Sequence, residues 1–417
     1  MINVKVLIFA VCIFPTYMFS KTYTICGDCE HTSISETIHL AEAGDTLEVL
    51  AGHYQEGNII IDKSLHLIGQ DWPVIDGEGN SEILTVVADS VTIEGLQLQN
   101  VGTSYTEDRA AIRIRKAKGC IIANNRLYNS FFGIYLERVT DCLIQGNEII
   151  GEAEQEMSSG NAIHLWYCHR IRIHDNHLGH HRDGIYLEFV DHSVLKGNLS
   201  ENNLRYGLHF MFSDHNEYQH NIFKHNGAGV AVMFSKFIVM QNNQFLGNWG
   251  PAAYGLLLKE IYDSEIRGNV FKENTQALYG ESATRILIAE NDFIHNGWAM
   301  KILGSCMDDT IVNNNFISNT FDLSTNSSRN YNHYMANYWS NYAAYDLDKD
   351  GVGDIPHRPV RLYAYLVAKV PPSIILLRSL FIDLIGFAEK IIPVLTPASL
   401  EDAQPRMVPR PSIHLPK

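Results

Sequence analysis

An all-β fold, a right-handed parallel β-helix with about 22 residues per coil, is predicted for this chain of 417 residues by two markers that drift together and by the pattern between them. The first marker is an Asn followed two residues later by an apolar residue, at Asn125, Asn147, Asn176, Asn221, Asn243, Asn269, Asn291 and Asn314; Asn198 keeps the Asn but has Ser200 in the second place. Their successive intervals are 22, 29, 22, 23, 22, 26, 22 and 23. The second marker is a small residue opening a short apolar-alternating stretch, at Gly133, Ala162, Gly184, Gly207, Gly229, Gly255, Ala277 and Ala299. Its intervals (29, 22, 23, 22, 26, 22, 22) reproduce the longer steps of the first. Between the markers lie runs of about four residues with period-2 alternation and Gly, Asn or Asp corners. A unit of this length has no room for a crossover helix, so each repeat is one coil and the coils stack at strand spacing, about 4.8 Å. The repeated Asn is structural on this reading: its amide satisfies backbone groups at a bend.

Along the chain, residues 1–20 read as a secretory signal, with Lys5, an apolar run from Val6 to Phe14 and Thr16 to Ser20, although Met18 and Ser20 make an imperfect cleavage site. Residues 21–75 read as an N-terminal cap and the first coils. Cys26-Gly27-Asp28-Cys29 admits a local disulfide or a metal-thiolate or redox site. Ser33 to Ala41 reads as a short amphipathic helix that closes the open end of the bore. The parallel β-helix is expected over 76–336. Cys120 and Cys142, each five residues before a repeat Asn, fall one above the other on neighbouring coils, a separation compatible with a disulfide.

Alternation assigns faces. In Gly184-Ile185-Tyr186-Leu187-Glu188, Ile185 and Leu187 point into the bore while Tyr186 and Glu188 point out. The same register gives two outward columns, Tyr135, His164, Tyr186, His209, Ala231, Leu257, Tyr279, Lys301 and Glu137, Trp166, Glu188, Met211, Met233, Lys259, Glu281, Leu303. Met211 and Met233 then occupy adjacent rungs with His209 two residues away. Thioether plus imidazole selects Cu(I); a partner-contact patch and plain packing are the other readings of the same face. His174, His177, His180 and His181 form a second candidate cluster at a corner. Carbohydrate cleavage would need a carboxylate pair, and Glu137 and Glu188 are two coils apart with Trp166 between them, a poor match.

Beyond Asn314 the repeat dissolves. An acidic segment, 337–362, carries Asp346, Asp348, Asp350 and Asp354 around Gly351 and resembles the start of a calcium loop, without the glutamate an EF-hand has at its twelfth position. An acidic turn without an ion is the alternative. Residues 363–417 read as a C-terminal helix and a Pro-rich tail. Ser373 to Leu395 is apolar but interrupted by Arg378, Asp383, Glu389 and Lys390, so it reads as an amphipathic helix, with Leu376, Leu377, Leu380, Phe381 and Leu384 on a face that caps the bore or docks on a partner. Pro397 to Lys417, with five prolines, reads as an extended or flexible arm.

A net charge of −15 and a pI near 5.6 argue against a nucleic-acid binder. The segments Gly184 to Phe189, Arg205 to Ser213, Gly227 to Ser235, Asn248 to Lys259, Asn337 to Trp339, Tyr345 to Gly351 and Arg358 to Leu362 resemble the NosD family, the periplasmic β-helix proteins of nitrous oxide reductase maturation. That resemblance implies a non-catalytic accessory protein. It implies an ABC transporter, made of an ATPase and a membrane subunit, as partner, together with a copper-donating lipoprotein and apo nitrous oxide reductase. A secreted polysaccharide lyase or hydrolase and a purely structural solenoid are the competing classes. On this reading copper(I) passes transiently over His209, Met211 and Met233.

Overall fold

The computed structural model describes residues 20–412 apart from 105, 328, 378 and 392–399, so the signal segment lies outside the described residues. Among these, the chain winds through three sheets of 14, 12 and 13 strands whose named strand pairs are all parallel. Each strand pairs with its counterpart one coil away: Ile185 lies beside Leu208, and Leu208 beside Val230. The fold is the solenoid that the two markers predict.

The marker Asn builds the corner between the 14- and 13-stranded sheets. From Asn147 on, each side-chain oxygen accepts from the main-chain N–H and the amide of the Asn one coil earlier, as Asn221 Oδ1 does from Asn198 N–H (2.9 Å) and Asn198 Nδ2 (2.9 Å). The residue just before each Asn, rather than the Asn itself, takes the left-handed conformation: Asn124, Asp175, His220, Asn242, Glu290, Asn313 and Ala336 do so, and Gly146, Gly197 and Gly268 hold the same place. A second ladder, Asn203, Asn226, Asn248, Asn274, Asn296 and Asn319, lines the next corner with the same geometry. Inside the bore Phe223, Phe245, Phe271, Phe293, Phe316 and Trp339 stack with centroids 5.6, 4.5, 4.8, 4.9 and 4.1 Å apart, all buried. Like side chains one coil apart stack in register, so a fully buried aromatic column adds ring contacts to its area burial.

The first helix, α1 (Ile34–Leu40), is capped by Ser33, whose hydroxyl accepts from Glu36 N–H, and buries Ile34, Thr37 and Ile38 over the first coils. Cys26 and Cys29 form a disulfide just before it. The pairing of Cys120 with Cys142 is not formed: both are buried free thiols. In an in-register parallel ladder the two side chains point the same way into the bore. Cys142 Sγ accepts from the Cys120 N–H at 3.1 Å and faces the Thr140 carbonyl at 3.5 Å.

The other end departs from the expected single helix. Residues 362–391 form α2 (Leu362–Lys369), a 3-10 turn at Pro371–Leu376 and α3 (Leu380–Ile391), broken by the two prolines, which cannot continue α2. Leu376 and Leu377 therefore lie outside the helix that carries Leu380, Phe381 and Leu384. The helix α2 rests on Phe321, burying Tyr363, Ala364 and Val367 against it, and α3 packs on α2. The tail is not a loose arm up to Ser412. Asp402 and Arg406 bridge to Tyr334 and Tyr338 in parallel, and to His357 and Val352 antiparallel, so that Leu400 to Arg406 cover the last coil. Asp402 ends the first ladder: its Oδ2 accepts from Asn337 N–H, Asn337 Nδ2 and Trp339 Nε1 at 3.0, 3.1 and 3.0 Å. The bore is thus closed by the tail, and the helices are left beside it.

Candidate metal-handling face

The outward columns read from alternation are the observed ones through residue 301: Tyr135, His164, Tyr186, His209, Ala231, Leu257, Tyr279 and Lys301 are register partners on the 12-stranded sheet. So are Glu137, Trp166, Glu188, Met211, Met233, Lys259 and Glu281. Leu303 falls outside the strand that ends at Ile302. The first column is a stack. Arg113 lies over Tyr135 at 4.7 Å, and Tyr135, His164, Tyr186 and His209 follow with centroids 4.5, 4.8 and 4.9 Å apart.

His209 is only 5% exposed, so the face is more enclosed than an open sheet surface. Tyr186 and Tyr206 flank its ring at 4.9 and 4.8 Å. Neither ring nitrogen has a hydrogen-bond partner; the nearest carboxylate, Asp183 Oδ2, is 3.9 Å from Nδ1 and is itself held by Arg205 at 2.5 Å. Buried imidazole nitrogens without partners are costly and call for an explanation. Met211 and Met233 lie side by side, partly buried, and the Tyr186 hydroxyl donates to Met211 Sδ at 3.5 Å. The three proposed ligands therefore share one face, imidazole inside and thioethers toward the rim. Burial, followed by the Arg182 charge, pushes His164 down to about 3, so that ring stays neutral. Burial pushes Tyr135 and Tyr186 up to about 12, so both keep their hydroxyl protons. Thioether sulfur and imidazole nitrogen are donors that suit Cu(I).

A partly exposed aromatic ladder, which alternation alone does not reveal, lies next to this face. Tyr167, Phe189, Phe212 and Phe234 stack with centroids 4.6, 5.4 and 5.0 Å apart, each in the left-handed conformation just after the outward strand position. Their spacing of 22, 23 and 22 residues is the repeat itself, which was the available signal.

The remaining candidates divide. His174, His177, His180 and His181 do not converge: His177 Nε2 engages Glu201 at 2.8 Å, His181 is buried and pushed down to about 3 by that burial, and His180 is exposed. In the acidic segment Asp346, Asp348 and Asp350 bring carboxylate oxygens within 4.8 Å of one another, whereas Asp354 accepts from Leu347 N–H at 2.7 Å. Glu137 is engaged by Arg115 at 3.0 Å, which weakens the carboxylate-pair reading further. Leu380 is 75% exposed, with Phe381, Leu384 and Leu377 exposed beside it and Leu376 partly buried. No helix of the described residues is long and apolar enough to cross a membrane.

Fold and face together define a parallel β-helix with a sulfur- and imidazole-bearing outer sheet. The general architecture is shared with the mannuronan C-5 epimerase AlgE6 A-module of Azotobacter vinelandii (TM-score 0.52, 13% identity, 73% of this chain and 86% of that one). It is shared equally with the PL6 family alginate lyase AlyGC (TM-score 0.52, 13% identity, 73% and 49%). At such identities the likeness concerns the fold alone. The relatives by sequence are NosD proteins: residues 152–344 match the family model described as periplasmic copper-binding protein (NosD). The chain is 29% identical over 386 residues to the probable ABC transporter binding protein NosD of Pseudomonas aeruginosa, covering 88% of this chain and 89% of that protein. It is 28% identical over 377 residues to the protein of the same name from Stutzerimonas stutzeri, covering 86% and 85%.

Proposed function

We propose that this chain is a periplasmic, non-catalytic accessory protein. It takes up copper(I) on the face formed by His209, Met211 and Met233 and hands it on during assembly of the copper-sulfur centre of nitrous oxide reductase. The observation that supports the reading is the buried imidazole of His209, whose ring nitrogens lack a hydrogen-bond partner, on the same sheet face as the register neighbours Met211 and Met233, within the segment that matches a copper-binding family. Copper is cargo here. Two thioethers and one neutral nitrogen hold Cu(I) without adding charge, and the half-open rim leaves a path for exchange with a donor lipoprotein or the apo-reductase. The adjacent ladder from Tyr167 to Phe234 supplies an apolar rim for such contacts.

Titrating copper(I) anaerobically into the mature chain against a competing chelator tests the site. One equivalent with sulfur and nitrogen scattering is expected, weakened at least tenfold by Met211→Ala with Met233→Ala. Unchanged copper binding and reductase loading in that variant would sink the ligand assignment.

The exposed apolar side chains of α3, with Leu376 and Leu377 before it, serve as the dock for the membrane subunit of an ABC transporter whose ATPase lies across the membrane. Changing Leu380, Phe381 and Leu384 to Ser is expected to abolish co-purification with the transporter while copper binding persists. Retained co-purification would assign the dock elsewhere. Asp346, Asp348 and Asp350 are proposed to hold a structural calcium ion at the closed end of the solenoid.

A further inference from the structure

The corner that joins the 12- and 14-stranded sheets carries a charged ladder on its outer surface, and in most of it each carboxylate meets a permanent cation. Asp141 is gripped by Arg170 at 2.6 and 2.8 Å with Lys118 at 3.7 Å. Asp214 faces Lys236 at 3.8 Å, and Asp263 takes Arg285 at 2.6 and 2.8 Å. Asp191 breaks the pattern. Its partners are two imidazoles: His169, its bridge partner one coil earlier, and His192, the next residue.

Both rings turn the same atom to the same place. His169 Nδ1 and His192 Nδ1 each contact Asp191 Oδ1, the latter at 3.4 Å, and one donor atom from each of the three residues lies within 4.8 Å of the others. An ion bound at about 2.0–2.1 Å in tetrahedral geometry has its ligand atoms about 3.3 Å apart, which the His192–Asp191 pair already matches, while the half-exposed His169 ring, now in direct contact with the carboxylate, backs away to admit the ion. The His192 ring is held by stacking on His215 at 5.0 Å, which stacks on Phe237 at 4.6 Å. The side chains of His169, Asp191 and His192 are 33, 47 and 56% exposed, so an ion has access from solvent and keeps an open coordination position.

We infer that His169, Asp191 and His192 form a second metal site, for a divalent ion of the Zn²⁺ or Cu²⁺ type. The donor set separates it from the His209, Met211 and Met233 face. Two imidazoles and a carboxylate offer no soft sulfur for Cu(I), and the carboxylate charge offsets that of a divalent ion. The ion replaces, at Asp191, the cation that Arg or Lys supplies to its neighbours. This site stands apart from the proposed copper(I) function and does not depend on it.

The test is calorimetric titration of the mature chain with zinc sulfate in a non-chelating buffer, repeated with His192→Gln, Asp191→Asn and Met211→Ala/Met233→Ala. The proposal expects one saturable site in the native chain, weakened at least tenfold in His192→Gln and Asp191→Asn, and intact in the double methionine variant. Circular dichroism and melting without metal should be unchanged, because these side chains are on the surface. A rise in melting temperature on adding zinc, seen in the native chain and lost in His192→Gln, gives a second readout. Zinc binding equal in all four proteins, or no saturable binding to the native chain, would overturn the site.

Discussion

Asn221→Ala is expected to lower the stability of the solenoid by about 2–4 kcal/mol, since a buried polar group left without a partner costs about 1–3 kcal/mol and an ordinary hydrogen bond lost about 1 kcal/mol. The side chain of Asn221 accepts from Asn198 N–H and Asn198 Nδ2, and donates to the Leu195 carbonyl at 3.0 Å and to Asn243 Oδ1 at 3.0 Å. Alanine removes all four contacts in a corner where Asn221 is 1% exposed. The Asn198 N–H loses its partner outright, whereas the Leu195 carbonyl loses only its side-chain donor and stays in the strand ladder beside Tyr218 and Gln219. Asn198 Nδ2 keeps the Ile173 carbonyl and Asn243 Oδ1 keeps the Asn221 N–H, so the damage is confined to two coils. Asn221→Asp tests the same geometry in another way. The accepting oxygen remains, but its companion then faces two other acceptors, and at neutral pH the loss should approach that of alanine. Chemical denaturation of the three proteins measures this; a change below about 1 kcal/mol in both variants would mean that the ladder is ornamental to stability.

How much of this could be read beforehand follows from where each side chain sits relative to the period. Tyr186, His209 and Met211 lie in strands whose alternation is strict, so their direction and neighbours were legible from spacing alone. Tyr167, Phe189, Phe212 and Phe234 recur just as regularly. They take the left-handed conformation directly after the outward column positions, which breaks the alternation that would assign them a face. The enclosure of His209 was invisible for a different reason. It depends on Tyr206 and on the Asp183–Arg205 pair, in which Asp183 and Tyr206 lie outside the two columns and the Arg reaches back one coil. Cys120 and Cys142 show the limit of a distance argument. Stacked coils bring two cysteines within range of a bond, but in-register strands aim both side chains the same way. The closing strand at Leu400 to Arg406 carries no repeat, and its pairing is set by Asp402 meeting the exposed end of the Asn ladder.

Asp309→Asn is expected to stabilise the protein above neutral pH and to leave it nearly unchanged at pH 4. Burial holds the Asp309 carboxyl up at about 7, against 3.8 for an ordinary Asp; the Ile286 N–H that it accepts at 2.9 Å works in the opposite direction. For an acid whose folded value is raised, the folded state binds more protons than the unfolded one between the two values. Stability therefore falls as pH rises from 3.8 to about 7 and is level above that. A difference of about three units corresponds to a loss on the order of 4 kcal/mol at pH 8 relative to pH 3. Coil equivalence says what Asn would do in that place. In the same column Asn216 Nδ2 donates to the Val190 carbonyl at 2.8 Å and Asn332 Nδ2 to the Cys306 carbonyl at 3.4 Å, so an Asn at 309 has the Ala283 carbonyl as its acceptor. The amide keeps the bond to Ile286 N–H and carries no charge to bury. Asp322, raised by burial to about 6, leaves a pH slope of its own in both proteins, so the quantity to follow is the difference between them. Melting temperatures of the two chains should converge at pH 4 and separate by several degrees at pH 8; parallel curves across that range would show that Asp309 does not titrate in the folded state as its burial requires.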